Sequence, residues 1–449
     1  MKKLLVVFCV ALLPLLAAAQ SLDWKANTHY KKAEAKEQLI NRFTKYVTFD
    51  TQSNRKAGKV PSTAGQLKFA QELAKELKKY GAQKVKVDKN AIVTAEIEAN
   101  SKRKSPVIAF LAHMDTAEEI TGKNVVAQVH KNYKGGDIVI NAQNHIVINP
   151  ENSPQLARAY GHDIITASGG TLLGADDKTG VAVIMSMVEY LDKHPEFEHG
   201  KIKIAFTPDE EIGTGIEKLD IAALGANYAY TLDGSEIGAL TDETFNARKF
   251  NIVLTGNRAV HPGYAMNSPF TDNLLMASDF HTLLPRISRP ETTSGRKGYI
   301  YVDQIHTSGN QTEIAGIIRA FTDEDMEQLT AQLRQAFKTA KALYPQAKAE
   351  IDVQDEYKNM KSALPEQVVT MAKQAMKAED IEPFSRAARG GTDGAHLSLR
   401  GLPTPDIFAG QFNIHSEREY ADADVMEASL RTVLRLISLW DLQERTENK

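Results

Sequence analysis

Short apolar segments that end in histidine or carboxylate motifs, with helical stretches between them, constrain this chain more than any other feature. Val107 to Leu111 is a buried strand pattern, and Ala112-His113-Met114-Asp115-Thr116 follows it directly. Lys201 to Phe206 alternates as a strand and runs into Thr207-Pro208-Asp209-Glu210-Glu211-Ile212-Gly213. Tyr228 to Leu232 is another strand and leads into Asp233-Gly234. Between them, Gly174-Ala175-Asp176-Asp177-Lys178-Thr179-Gly180 precedes an apolar helix that opens at Gly180. Thr63 to Tyr80 places Leu67, Phe69, Ala70, Leu73, Ala74 and Leu77 on one helical face and stops at Gly81. Strands separated by helices predict an α/β layer structure with a mostly parallel sheet. In such sheets, groups at the carboxyl ends of the strands face one crevice, so the motifs have a place to converge.

The pattern changes after Phe245. Lys249 to Leu254, Tyr299 to Ile305, Ile314 to Phe321 and Glu350 to Val353 read as strands. Helices at Asp272 to Leu284 and after the capping residue Thr322 complete a βαββαβ order, a smaller unit inserted in the larger one. Helical pattern resumes at Pro365, and a terminal helix is expected from Asp424 to Leu442. The expected organisation is a leader at 1–19, a first part of the main domain at 20–245, an inserted domain at 246–354 and a second part at 355–449.

The leader expectation rests on Lys2 and Lys3, an apolar run from Leu4 to Leu16, and Ala17-Ala18-Ala19 as a cleavage site. That apolar run is shorter than the roughly 20 residues a spanning helix needs. It predicts export to a periplasmic or extracellular location, with no membrane contact after cleavage. Cys9, in the run, is the only cysteine, so disulfides, thiolate metal ligands and a cysteine nucleophile are excluded from the remainder. The 54 basic residues face 57 acidic ones, which offers no nucleic acid or anionic membrane a binding surface.

Any metal site here must use imidazole and carboxylate, the hard and borderline ligands that suit zinc. Five acceptors fit two ions if one carboxylate bridges them and each ion takes two more ligands. In His113-x-Asp115, the second carboxylate can receive the other ring N–H of a ligating imidazole. In the adjacent Glu210 and Glu211, one residue can bind metal while the other serves as general base. Asn413-Ile414-His415 supplies a further imidazole near the C-terminal end.

Taken in order, these motifs resemble the dizinc aminopeptidase/carboxypeptidase superfamily and, within it, its tripeptide-cleaving branch. The similarity extends through Phe49-Asp50-Thr51-Gln52-Ser53, Tyr133-Lys134-Gly135-Gly136-Asp137, Arg389-Gly390-Gly391-Thr392-Asp393 and Gly401-Leu402-Pro403. The resemblance implies a dizinc exopeptidase domain with an inserted lid and dimerisation domain. It also implies that Asp176 bridges two Zn2+ ions, with His113 and Asp233 on one and Glu211 and His415 on the other. Glu210 would be the catalytic base, Asp115 would orient His113, and a cis peptide would join Asp176 to Asp177. It further implies that Arg319 binds the substrate carboxyl terminus and that His261 stabilises the oxyanion across a homodimer. Gly390, Gly391 and Thr392 would offer backbone N–H groups to the peptide. The branch is intracellular, in contrast to the export expectation.

The function expected is an exported aminopeptidase acting on short peptides, tripeptides first. Three segments depart from the family pattern: Gly256 to His261 is one residue longer, Tyr264 to Pro269 replaces small residues, and Ser416-Glu417-Arg418-Glu419 follows His415. All three lie by the expected substrate region, so a dizinc dipeptidase or N-acyl amino acid deacylase is the alternative. A non-catalytic peptide- or metal-binding homologue is a second, against which the retention of Glu210 argues.

Overall fold

The computed structural model describes Lys25 and residues 29–256, 261–267 and 271–443. The leader expected at 1–19 lies outside these residues. The described residues divide into two compact units, one lying within 1–238, 370–383 and 407–449, the other within 239–369 and 384–406.

In the first unit, helix α1 (Lys32–Tyr46) buries Leu39, Ile40, Phe43 and Tyr46, and α2 (Ala64–Lys79) buries Phe69, Leu73 and Leu77. Strands β1 (Gln83–Val87), β2 (Val93–Ile97) and β3 (Ile108–His113) follow. Helix α3 (Ala175–Lys193), β4 (Ile202–Thr207) and β5 (Tyr228–Gly234) continue the layer. These five strands lie side by side in the order β1-β2-β4-β3-β5 within a larger sheet, with β3 parallel to both β4 and β5. All six residues of β3 are buried, as befits a parallel strand covered on both faces. Helix α3 packs on β3 and touches α1. Gly180 permits the approach of α3 to β5, because a Cβ there would stand 1.9 Å from the Leu232 carbonyl oxygen. Truncating Ile184 on α3 to alanine would cost about 2–5 kcal/mol.

Helix α3 starts at Ala175, five residues before the expected Gly180, and it is irregular where it starts. Asp176 and Asp177 have non-helical backbone angles and are joined by a cis peptide. Apolar periodicity begins only where the regular turns begin, which is why sequence pattern placed the start late.

The second unit opens its antiparallel sheet with β6 (Asn246–Thr255), then α4 (Asn273–Leu283), β7 (Tyr299–Ser308), β8 (Gln311–Ala320), α5 (Asp323–Leu343) and β9 (Lys348–Tyr357). This is the βαββαβ order read from the sequence, and the strands lie in the order β7-β8-β6-β9. Phe250, Ile252 and Leu254 pack with Met276 and Phe280 of α4 and Met326 and Leu333 of α5. Asp272 caps α4 and the Thr322 hydroxyl accepts from Asp325 N–H to cap α5.

Back in the first unit, α6 (Ala423–Asp441) packs against α1 and α3. A small antiparallel sheet joins Gln411–Phe412, Tyr420–Asp422, Ile164–Thr166 and Gln128–His130 in that order. Its hairpin presents the His415 segment. Sequence pattern did not reveal this sheet, because strands of two or three residues carry no readable alternation.

Candidate metal centre

The parallel strands β3, β4 and β5 deliver His113, Thr207 and Asp233 to the same end of the sheet, with His113 opposite Thr207 in register. Beyond β4 the chain turns at Asp209, whose φ of 55° is in the left-handed region. Ser62 and Gln66 hold that turn: Asp209 accepts from Ser62 N–H at 2.7 Å and from Gln66 Nε2 at 2.7 Å. Glu210 and Glu211 follow, and both backbone N–H groups donate to Asp115, at 3.0 and 3.2 Å. The same buried carboxylate lies 3.4 Å from His113 Nδ1. One side chain thus ties the end of β3 to the glutamate pair.

Asp176 stands between two sets of ligand-type groups. Its Oδ1 is 2.9 Å from His113 Nε2, and that nitrogen is 3.7 Å from Asp233 Oδ1. Its Oδ2 is 3.6 Å from His415 Nε2, which is 2.8 Å from Glu211 Oε2. The two oxygens of one carboxylate therefore address separate His and carboxylate pairs. Asp177 is also close enough to His113 and Asp233 to join a cluster. Its oxygens, however, accept from the backbone N–H groups of His113 and Gly180, so Asp176 is the carboxylate directed at both pairs.

The electrostatics are those of a crowded acid cluster. Burial, with the Asp176 charge beside it, pushes the Glu211 carboxyl up to about 8. The same two causes raise Asp233. Burial would lower the His113 imidazole, but Asp115, Asp176 and Asp233 outweigh it and lift it well above its ordinary value. Hydrogen bonds to Asp176 and Glu211 lift His415 to about 11. Burial opposes the Asp176 charge, yet the two histidines hold that carboxyl below the usual range. Divalent cations would balance this charge with the imidazoles neutral. The donor set fits: two imidazoles, three carboxylates, and a buried Glu211 Oε1 that has no hydrogen-bond partner.

The remaining expected residues belong to the second unit. Arg319 on β8 is 12% exposed at its side chain and 3.2 Å from Glu356 Oε2. Its Nη1 donates to the carbonyl oxygens of Arg248 and Ile318. Its guanidinium lies 5.4 Å over the Tyr357 ring. A Cβ on Gly391 would meet Tyr357 Oη at 3.3 Å, so Tyr357 links Arg319 to the glycine loop. Gly390 has open space around it. The Thr392 hydroxyl accepts from Ala395 N–H and caps a short helix. His261 is exposed, and its Nδ1 accepts from Gly263 N–H. The insertion noted before it, at 257–260, lies outside the described residues, as do 268–270 of the Tyr264 to Pro269 segment.

Two residues at the centre were not anticipated. Gln411 Nε2 lies 2.8 Å from Asp233 Oδ1 and 3.2 Å from Asp176 Oδ1. Glu419 accepts from three backbone N–H groups around Asp176. Each stands four positions from His415, but neither the two-residue strand of Gln411 nor the loop that ends at Glu419 offers a periodicity that would have singled them out. A third acid cluster of His162, Asp422 and Asp424 is already occupied by an ammonium, since Lys36 Nζ pairs with Asp424 and Asp163 at 3.1 and 3.0 Å.

Residues 166–439 match the description of Peptidase family M20/M25/M40. The Peptidase T of Geobacillus thermodenitrificans is 42% identical over 408 residues, covering 90% of this chain and 99% of the relative. That of Listeria welshimeri is 42% identical over 411 residues, covering 91% and 100%. Among solved structures, the aminopeptidase PepT of Bacillus cereus aligns with a TM-score of 0.69 at 22% identity, covering 90% of this chain and 98% of the other. A dinuclear metal binding peptidase of the M20 family from Bacillus subtilis aligns with a TM-score of 0.61 at 15% identity, covering 90% and 98%.

These matches overturn the export expectation. The relatives matched are named Peptidase T and align over nearly their whole length, and that similarity carries a peptidase without an exported location. The exported aminopeptidase is therefore corrected to an aminopeptidase without that location. Among the described residues, no helix is long and apolar enough to cross a membrane.

Proposed function

Because this chain belongs to Peptidase family M20/M25/M40, we propose that it is a metal-dependent aminopeptidase releasing the first residue of short peptides, tripeptides before others. The observation that carries this reading is the disposition of Asp176, one oxygen toward His113 and Asp233, the other toward His415 and Glu211. His113 and Asp233 would hold one zinc ion, Glu211 and His415 a second, and Asp176 both. Zinc bound there supplies Lewis acidity toward the scissile carbonyl and makes water acidic enough to attack near neutral pH.

The protein's own groups do the rest. Glu210 takes the proton of the attacking water and returns it to the leaving nitrogen, a role that needs a carboxylate beside the ligands. Asp115 fixes the backbone of both glutamates and lies 3.4 Å from the ring of His113, so base and ligands share one neighbour. Arg319 grips the far carboxylate of the peptide, the task its planar fork suits. To do so it exchanges Glu356 for substrate. His261 donates to the developing oxyanion, the Gly390 to Thr392 loop contacts the peptide backbone, and the working form is a homodimer.

Hydrolysis by the zinc-loaded protein of a free tripeptide, its N-acetyl form, the matching dipeptide and the tetrapeptide tests this function. Fast cleavage of the free tripeptide is expected. Comparable cleavage of the N-acetylated peptide would refute an aminopeptidase and favour a deacylase, and preference for the dipeptide would make it a dipeptidase. No turnover of any, with metal bound, would leave a binding protein.

A further inference from the structure

Asp176 can address both sides of the centre only if its backbone is held, and the helix to which it belongs does not hold it. Asp176 and Asp177 depart from helical geometry, and the N–H groups at a helix start have no partners within the helix. Glu419 supplies them. Its Oε2 accepts from Leu173 N–H at 2.7 Å and Gly174 N–H at 2.8 Å, and its Oε1 accepts from Asp176 N–H at 3.0 Å. The residue is 2% exposed.

We propose that Glu419 is a positioning residue of the metal centre: it fixes the Asp176 backbone and ties it to the segment that carries His415. Three groups on this one stretch converge on Asp176. Gln411 contacts its Oδ1, His415 faces its Oδ2, and Glu419 takes its backbone N–H. Glu419 closes the stretch immediately before Tyr420–Asp422, whose pairing with Ile164–Thr166 and Gln411–Phe412 anchors it. A carboxylate is needed because both oxygens must accept. In Glu419→Gln, one oxygen becomes an amide that opposes a backbone N–H, and the Asp176 segment loses its fixed place.

The inference rests on Asp176 being the shared ligand, so wild-type metal binding is measured alongside. Metal-free wild type and Glu419→Gln are titrated with Zn2+ against a chromophoric chelator and with Co2+ by visible absorption, and peptide kinetics are run in parallel. The expected result is two ions on the wild type and an affinity loss of about 10- to 100-fold for at least one of them in the variant. The Co2+ spectrum should change, and kcat should fall with KM nearly unaltered. Wild-type affinities and spectrum in the variant, even with a lowered melting temperature, would make Glu419 a helix cap only and overturn the inference. A wild type that fails to bind two ions would overturn the site reading and this inference with it. Should Glu419→Gln not fold, Glu419→Asp keeps the charge but shortens the reach: weakened metal binding supports the role, and unchanged binding refutes it.

Discussion

Replacing Asp115 by asparagine tests the anchor on which both glutamates hang. The carboxylate accepts from Glu210 N–H through Oδ1 and Glu211 N–H through Oδ2, and Oδ1 also faces His113 Nδ1. Asparagine has a single oxygen, so whichever way the amide turns, an NH2 group opposes one of these donors. The cost is at least one hydrogen bond to a charged acceptor, about 1.5–3 kcal/mol. At 1.36 kcal/mol per tenfold, that is a loss of roughly 10- to 160-fold if expressed wholly in turnover. Asp115 is fully buried and is placed to orient the glutamate pair and His113, so the loss should fall on kcat and leave KM within about threefold. Steady-state kinetics on a free tripeptide at saturating Zn2+, with circular dichroism to establish folding, give the answer. A folded variant with wild-type kcat would refute the claim that Asp115 organises the site.

Glu210→Gln should keep both metal ions and lose about 10²- to 10⁴-fold in kcat, read by metal analysis and tripeptide turnover together. Glu356→Gln frees the Arg319 fork from a part-buried ion pair whose strength is about 0.5–1 kcal/mol. KM for a free tripeptide should fall about two- to fivefold, with KM for the tripeptide amide unchanged; a rise in KM would show that Glu356 supports Arg319 instead of competing for it. The His162 imidazole is raised by its hydrogen bond to Asp422, despite its burial. Its folded value exceeds the unfolded one, so the stabilisation is fully present below about pH 6.5 and fades as pH rises through the raised value. His162→Gln should therefore flatten the decline in denaturant midpoint as pH rises above about 6.5, and a parallel decline in both proteins would contradict the assignment.

Much of this was legible in the residues because the chemistry follows the strands. His113, Glu210, Glu211 and Asp233 stand just past buried apolar runs, where hydropathy marks the strand and parallel pairing gathers the ends. The inserted βαββαβ order was legible for the same reason, since its strands and helices are long and amphipathic. What was hidden acts at a distance or without a period. Glu419 reaches 243 residues back to Asp176, and Gln411 reaches 235, through contacts that no local pattern encodes. Arg319 could be matched by its motif, but its pairing with Glu356 depends on the register of β8 and β9 about β6. The exported location was read from terminal composition alone, and the similarity to Peptidase T relatives does not carry it.

The most direct test of the central claim is a Zn2+ titration of the chelator-stripped protein with free-tripeptide cleavage followed at each addition. The account predicts no turnover at the start, a rise that ends at two equivalents, and loss of activity when chelator is restored. Full cleavage by protein stripped of metal would contradict it.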